Sequence, residues 1–162
     1  IYLDIDEDKH IGDYVGERFS EVIAGLDVGY RDENVFVVIG TDGDNYFIID
    51  EFISRESTTS ELAAAIAEKI DEWSIDTIYI DSAAQQVKAD FAYDYDIYCE
   101  NAIKSVNDGI NSVQVLIQQD RLFFDTEGAR HTFSAMAAYK WNPNTETPKA
   151  VHDWASHPCD AS

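Results

Sequence analysis

Basic residues are scarce: 11 Lys and Arg stand against 32 Asp and Glu, a formal net charge of -21. That balance argues against a protein that grips nucleic acid through a broad basic face. It fits a chain whose polyanion contacts lie mainly on other parts of a larger machine, or one kept soluble in high salt. Cysteine is limited to Cys99 and Cys159, with no CxxC and no Cys/His cluster. Neither a zinc site nor a disulfide framework is therefore indicated, and a reducing cytoplasm is the expectation. No uninterrupted apolar run approaches the roughly 18 to 20 residues of a membrane span. The opening IYLDIDEDKHIGDY is too acidic for a signal peptide, so a soluble, unexported protein with no membrane partner is expected. A GxxxxGK[ST] phosphate loop is missing as well, which excludes an NTP-driven motor within this stretch.

What is present is the composition of one folded domain: 162 residues, 45% hydrophobic and 12% aromatic. Residues 1–20 are polar and charged and read as an arm or linker, with the fold expected over 21–162. VIAGLDVG, VFVVIG and YFIIDEFI are β-rich runs, and Thr41-Asp42-Gly43-Asp44-Asn45 is a hairpin-loop signal. After Ser57-Thr58-Thr59-Ser60, which can cap a helix, Leu62, Ile66, Ile70 and Trp73 recur at spacings of three and four. TIYIDSA returns to strand, residues 85–93 to helix, and IYCENA to a short strand. Val106, Ile110, Val113 and Ile117 mark another helix, RLFFD another strand, residues 127–141 a helix, and His157-Pro158 a last helix start. The order βββ-α-β-α-β-α-β-α-α predicts an α/β fold. Three antiparallel strands share a mixed sheet of five or more strands with parallel βα units, flanked by helices, which is the ribonuclease H-like arrangement.

Three acids stand out. Asp27 sits in an apolar strand among Ile23, Leu26 and Val28, where burying charge is expensive unless a partner such as a metal ion compensates; ending the strand is its plainer role. Asp81 ends TIYIDSA before small residues that leave room for a ligand, although Asp81 and Ser82 would also suit a helix N-cap. Asp160 shares a helix face with His157, and an acid in a first helical turn also serves the macrodipole. If the first and fourth strands are neighbours, Asp27 and Asp81 converge and the last helix can add Asp160. Three carboxylates in one place repel unless cations lie between them, and oxygen-only ligation selects Mg²⁺ or Mn²⁺ over zinc. Such a site suits two-ion phosphodiester hydrolysis with no protein nucleophile. His157 would position the scissile phosphate or accept a proton, a cap or packing role being its alternative.

The segments Gly25-Leu26-Asp27-Val28-Gly29-Tyr30, Asp81-Ser82-Ala83, Asn101-Ala102-Ile103-Lys104 with Asp108-Gly109-Ile110, Tyr139-Lys140-Trp141 and His157-Pro158-Cys159-Asp160-Ala161 come in the order of a known set. Over residues 22–162 the chain resembles the nuclease domain of tailed-phage large terminases. The resemblance implies a packaging nuclease that cuts concatemeric double-stranded DNA with two Mg²⁺ or Mn²⁺ ions held by Asp27, Asp81 and Asp160. The residue matching His157 belongs to the site in some relatives, and Asp32 or Glu33 would match an assisting acid, a plain loop role being their alternative. It also implies an N-terminal ATPase domain joined through residues 1–20, small terminase subunit and portal partners, and a place in the host cytoplasm.

The pattern departs from the family where Ala135 and Met136 replace an acid before the aromatic motif. It also departs at Ser162, where a helix usually continues; ending there would weaken the Asp160 arm. Lys88, Lys104 and Lys149 are candidate phosphate contacts, each with a solvated-surface alternative, and phosphate contacts carry little sequence preference. Competing readings are a Holliday-junction resolvase or transposase on the same fold, separable by branched DNA, and a non-catalytic assembly module, which the acidity suits.

Overall fold

The computed structural model describes residues 6–14, 16, 18–29, 33–102 and 115–138, the side chains of 135–138 excepted. Its elements run α1 (Glu7–His10), β1 (Ile11–Gly12), β2 (Glu21–Asp27), β3 (Glu33–Thr41), β4 (Tyr46–Arg55), α2 (Thr59–Trp73), β5 (Thr77–Ile80), α3 (Gln85–Tyr95) and β6 (Cys99–Asn101). A helical turn at 115–118, β7 (Leu122–Asp125) and α4 (Arg130–Ala138) complete them.

The strands form one seven-stranded sheet in the order β1-β7-β4-β3-β2-β5-β6. β3 is antiparallel to both β2 and β4, while the β2–β5, β5–β6, β4–β7 and β1–β7 pairs are parallel. Six strands thus point one way, and their C-terminal ends share one edge. The expected meander, the parallel βα units and the ribonuclease H-like mixed sheet are all present.

Apolar residues alternate across the pleat and feed two cores. On one face Ala24, Leu26, Phe36, Val38, Ile78 and Ile80 pack with Leu62 and Ile66 of α2 and Phe91 of α3. On the other, Val35, Val37, Ile39, Ile48 and Phe124 pack with Ile117 and Ala129, and Phe133 of α4 lies against them. α2 starts where expected, Thr58 being its N-cap with the hydroxyl accepting from Glu61 N at 3.1 Å. At the hairpin, Asp42 Oδ1 accepts from Asp44 N and Asn45 N, and Gly43 takes the positive φ of 103° that the turn requires.

A register shift between Val38 and Ile39 puts an extra residue into β4 and resets its alternation. Asp50 thereby turns to α2, where it accepts from Lys69 Nζ and from Trp73 Nε1 at 2.8 Å. Glu51, the next residue, faces α4 instead, accepting from backbone and side-chain groups of its first turns.

The sheet also takes in residues before Glu21. Ile11 and Gly12 pair with Phe124 and Asp125. His10 is fully buried: its Nδ1 accepts from Asp6 N at 2.9 Å, so Nε2 carries the proton and donates to Asp120 Oδ1 at 3.0 Å. The polar composition that reads as a linker conceals this edge strand because two residues are too short for an alternation to show.

Candidate active site

Register places the two acids. Ala24, Gly25 and Leu26 of β2 pair with Ile78, Tyr79 and Ile80 of β5, so the chains leave the sheet at the same level with Asp27 and Asp81 next in each. Asp27 is also paired with Val35 across the antiparallel side, which fixes its backbone on that flank. Both acids line one cleft of about 510 Å³, together with Val28, Gly29, Asn34 and the starts of α2 and α3.

Asp27 is half-buried and Asp81 exposed. Asp81 Oδ1 accepts from Ala83 N at 2.9 Å, and its carbonyl accepts from Ala84 N at 2.9 Å. It is therefore not the N-cap of α3, nor is Ser82: the cap is Ala84, with no side-chain hydrogen bond. Ser82 and Ala83 form a turn ahead of the helix, which leaves Asp81 at the sheet edge and corrects the capping alternative for this residue.

The donor set fits a hard divalent cation, two carboxylates with room for water and an oxygen-rich ligand. Among the described residues no group of three or more His, Cys, Asp or Glu side chains is poised to hold a metal. Asp160 and His157, the expected third acid and its neighbour, lie outside the described residues, as do Asp32, Lys104 and Lys149.

Glu33 is described and sits away from the cleft lining. It begins β3, buried, and its Oε1 accepts from Arg55 Nε at 3.2 Å and Nη2 at 2.9 Å. Its Oε2 lies 4.0 Å from His131 Nε2. Lys88 is near the edge rather than in the lining; its Nζ donates to Asn101 Oδ1 at 3.2 Å, beside Gln85 Nε2 at 3.1 Å.

One lining residue escaped the sequence reading. Asn34 is only 4% exposed, and its Oδ1 accepts from Gly29 N at 3.0 Å, holding the loop that follows Asp27. The available signal was a polar residue at the head of the apolar run VFVVIG.

Known proteins share this fold. A family model described as the terminase RNaseH-like domain matches residues 24–153. The large terminase subunit of Escherichia phage T5 is 37% identical over 166 aligned residues, covering 94% of this chain and 38% of that protein. The large terminase of thermophilic bacteriophage D6E superposes with a TM-score of 0.89 at 19% identity, covering 99% of this chain and 42% of that one. The large terminase nuclease domain of bacteriophage SPP1 with bound Mn superposes at 0.75 and 18% identity, with 99% and 93% covered. The chain thus spans less than half the length of the T5 and D6E proteins. With the family match running from β2 to beyond α4, this chain belongs to the terminase RNaseH-like domain family.

Proposed function

We propose that this domain is a divalent-metal-dependent DNA endonuclease that cuts concatemeric viral DNA during genome packaging. The observation that carries the reading is the pairing of β2 with β5, which brings Asp27 and Asp81 to the same end of neighbouring strands in one cleft. Manganese bound in the SPP1 nuclease domain supports Mg²⁺ or Mn²⁺ as cofactor, and two ions is the number that phosphodiester hydrolysis without a protein nucleophile suits.

Divalent ions bound between the acids would supply the activation of a water and the neutralisation of charge on the departing 3′ oxygen. The chain's part is placement. Asp27 is held by its pairing with Val35 on one side and directly follows Leu26, which is paired with Ile80 on the other, so its backbone is anchored at the end of the sheet. Ala83 N takes Asp81 Oδ1 and orients that carboxylate; among the described residues Oδ2 has no protein donor and is left for a ligand. Asp160 supplies the third carboxylate and His157 positions the phosphate or accepts a proton, both carried over by their place in the motif. Asp32 and Glu33 remain assisting acids in this reading, Glu33 acting through the Arg55 pair that holds the start of β3. Lys88, Lys104 and Lys149 meet phosphates, and the scarcity of basic residues makes binding by the domain alone weak and salt-sensitive.

In the full protein, residues 1–20 lead from an N-terminal ATPase domain, and the assembly engages small terminase subunit and portal in the host cytoplasm. Among the described residues no helix is long and apolar enough to cross a membrane.

Plasmid cleavage in Mn²⁺ or Mg²⁺ tests the reading, with Asp27→Asn and Asp81→Asn alongside. Metal-dependent cutting lost in both variants is the expected result. Cutting that persists in them overturns Asp27 and Asp81 as the ligands, and cutting that never occurs at high protein and low salt overturns the nuclease reading and favours the assembly module.

A further inference from the structure

We propose that the corner where α3 turns into β6 is a docking surface for an arginine-rich segment of a partner protein. The Asp27 and Asp81 cleft takes no part in it.

Of the five large hydrophobic side chains that stand exposed among the described residues, three gather at this corner: Tyr93 at 92%, Tyr95 at 38% and Tyr98 at 69%. A single exposed apolar residue needs no explanation, but three aromatics so close together make a patch of the kind that interfaces use. Two of the rings are already held. Tyr95 stands edge-on to the buried Phe91 with centroids 6.5 Å apart, and the Tyr98 hydroxyl donates to Asp96 Oδ1 at 2.6 Å. Rings fixed before contact lose little freedom on binding.

Charge selects the occupant. Asp94, Asp96 and Glu100 stand exposed among the rings, and the sequence from Ala89 to Ile103 holds no Lys, Arg or His. Among the described residues no cation pairs with any of these three acids. Asp94 also lies in the last turn of α3, where the macrodipole is negative and no basic residue offsets it. A cation from outside relieves both repulsions. A DNA phosphate, or a second copy of this chain at net charge -21, would instead meet like charge. A guanidinium matches the corner twice over: its plane stacks on a tyrosine ring, and its fork of N–H donors fits a carboxylate. The compact ammonium of lysine lacks that planar fork.

The corner lies away from the cleft. α3 starts beside the cleft, with Gln86 and Val87 in the lining, and runs 11 residues, about 16 Å, back along the sheet to the tyrosines. Tyr98 precedes Cys99, which pairs with Ile78 near the end of β5 opposite Asp81. A partner held there leaves the cleft open.

The test titrates the whole chain against fluorescein-labelled octa-arginine and octa-lysine, read by fluorescence polarisation. Octa-arginine should bind about fivefold more tightly than octa-lysine, and Tyr93→Ala with Tyr98→Ala should remove that preference. Tyr93→Ala by itself, its ring almost wholly in solvent, should halve the preference or better, and carries the test if loss of the Tyr98 bond to Asp96 disturbs the turn. Asp94→Asn with Glu100→Gln should weaken both peptides about tenfold. Glu68→Gln with Asp71→Asn removes the same charge from the exposed side of α2 and should leave both affinities close to wild type. Equal weakening by the α2 pair would reduce the binding to net charge and overturn the surface. So would octa-arginine that binds no better than octa-lysine, or not at all. Weaker binding of a short DNA duplex by the tyrosine variants would assign the rings to nucleic acid and overturn it as well.

Discussion

Glu51 caps a helix that begins eighty residues further along the chain: its Oε2 accepts from Thr132 N at 2.8 Å and from the Thr132 hydroxyl at 2.7 Å, while Oε1 takes His131 N at 2.7 Å. A carboxylate at a helix start gains from charge-assisted bonds and from the macrodipole. Glu51→Ala should cost about 2–3 kcal/mol, because it also strands N–H groups in a buried turn. Urea unfolding measures this, and Glu51→Gln should recover part of the loss; equal stability in all three proteins would show the cap to be idle.

The same helix depends on a close approach. A Cβ on Gly128 would stand 2.0 Å from the Ile49 carbonyl oxygen, a backbone atom of β4 that cannot turn aside. Gly128→Ala should therefore destabilise the domain by about 2–3 kcal/mol, the usual scale for overpacking, even though alanine favours helices. Thermal melts beside a Gly16→Ala control, where nothing lies within 4 Å, check the assignment.

Metal binding can be seen without turnover. Mn²⁺ should raise the melting temperature of the wild-type chain in proportion to the logarithm of its concentration, and Asp27→Asn or Asp81→Asn should flatten that response. Identical shifts in all three proteins would place the ion elsewhere.

Burial pushes the Cys99 thiol up to about 11, partly offset by the nearby Lys88 charge. At pH 8 the thiol should stay protonated and resist iodoacetamide in the folded protein, reacting once urea opens β6. Peptide mapping follows Cys99 separately from Cys159; rapid native labelling of the Cys99 peptide would contradict its burial.

Asp42 has its carboxyl held below the usual 3.8 by hydrogen bonds from the Asn45 and Asp44 backbone N–H groups. A depressed folded value means that the stabilisation is fully present above 3.8 and fades as pH falls through the lower folded value. The stability gap between wild type and Asp42→Asn should be flat at neutral pH and narrow on acidification below that point. A gap that is constant down to pH 2 would contradict the turn geometry.

The strands and α2 were legible because their signals are local: β-branched runs broken by Gly, Asp and Asn, and Leu62, Ile66, Ile70 and Trp73 at helical spacing. Asp27 and Asp81 were legible for the same reason, acids closing apolar strands, and their convergence followed once β2 and β5 were made neighbours. Glu51 and Asn34 were not. Each owes its role to a partner chosen by the fold, a helix start eighty residues away or a cleft between two helices, and neither breaks a pattern in its own strand. Asp81 misled in a smaller way, since an acid before a helical run looks like a cap until the intervening turn is seen.

The pairing of β1 with β7 has a consequence for the order of assembly. His10 meets Asp120, Tyr14 N meets Asp125, and Ile11 meets Phe124, each across more than a hundred residues. On a ribosome the segment around His10 emerges early, yet its place in the sheet does not exist until β7 has been made and laid against β4. The part of this domain translated first is therefore among the last to be fixed, and closure of that edge reports that nearly all of the sheet has already formed.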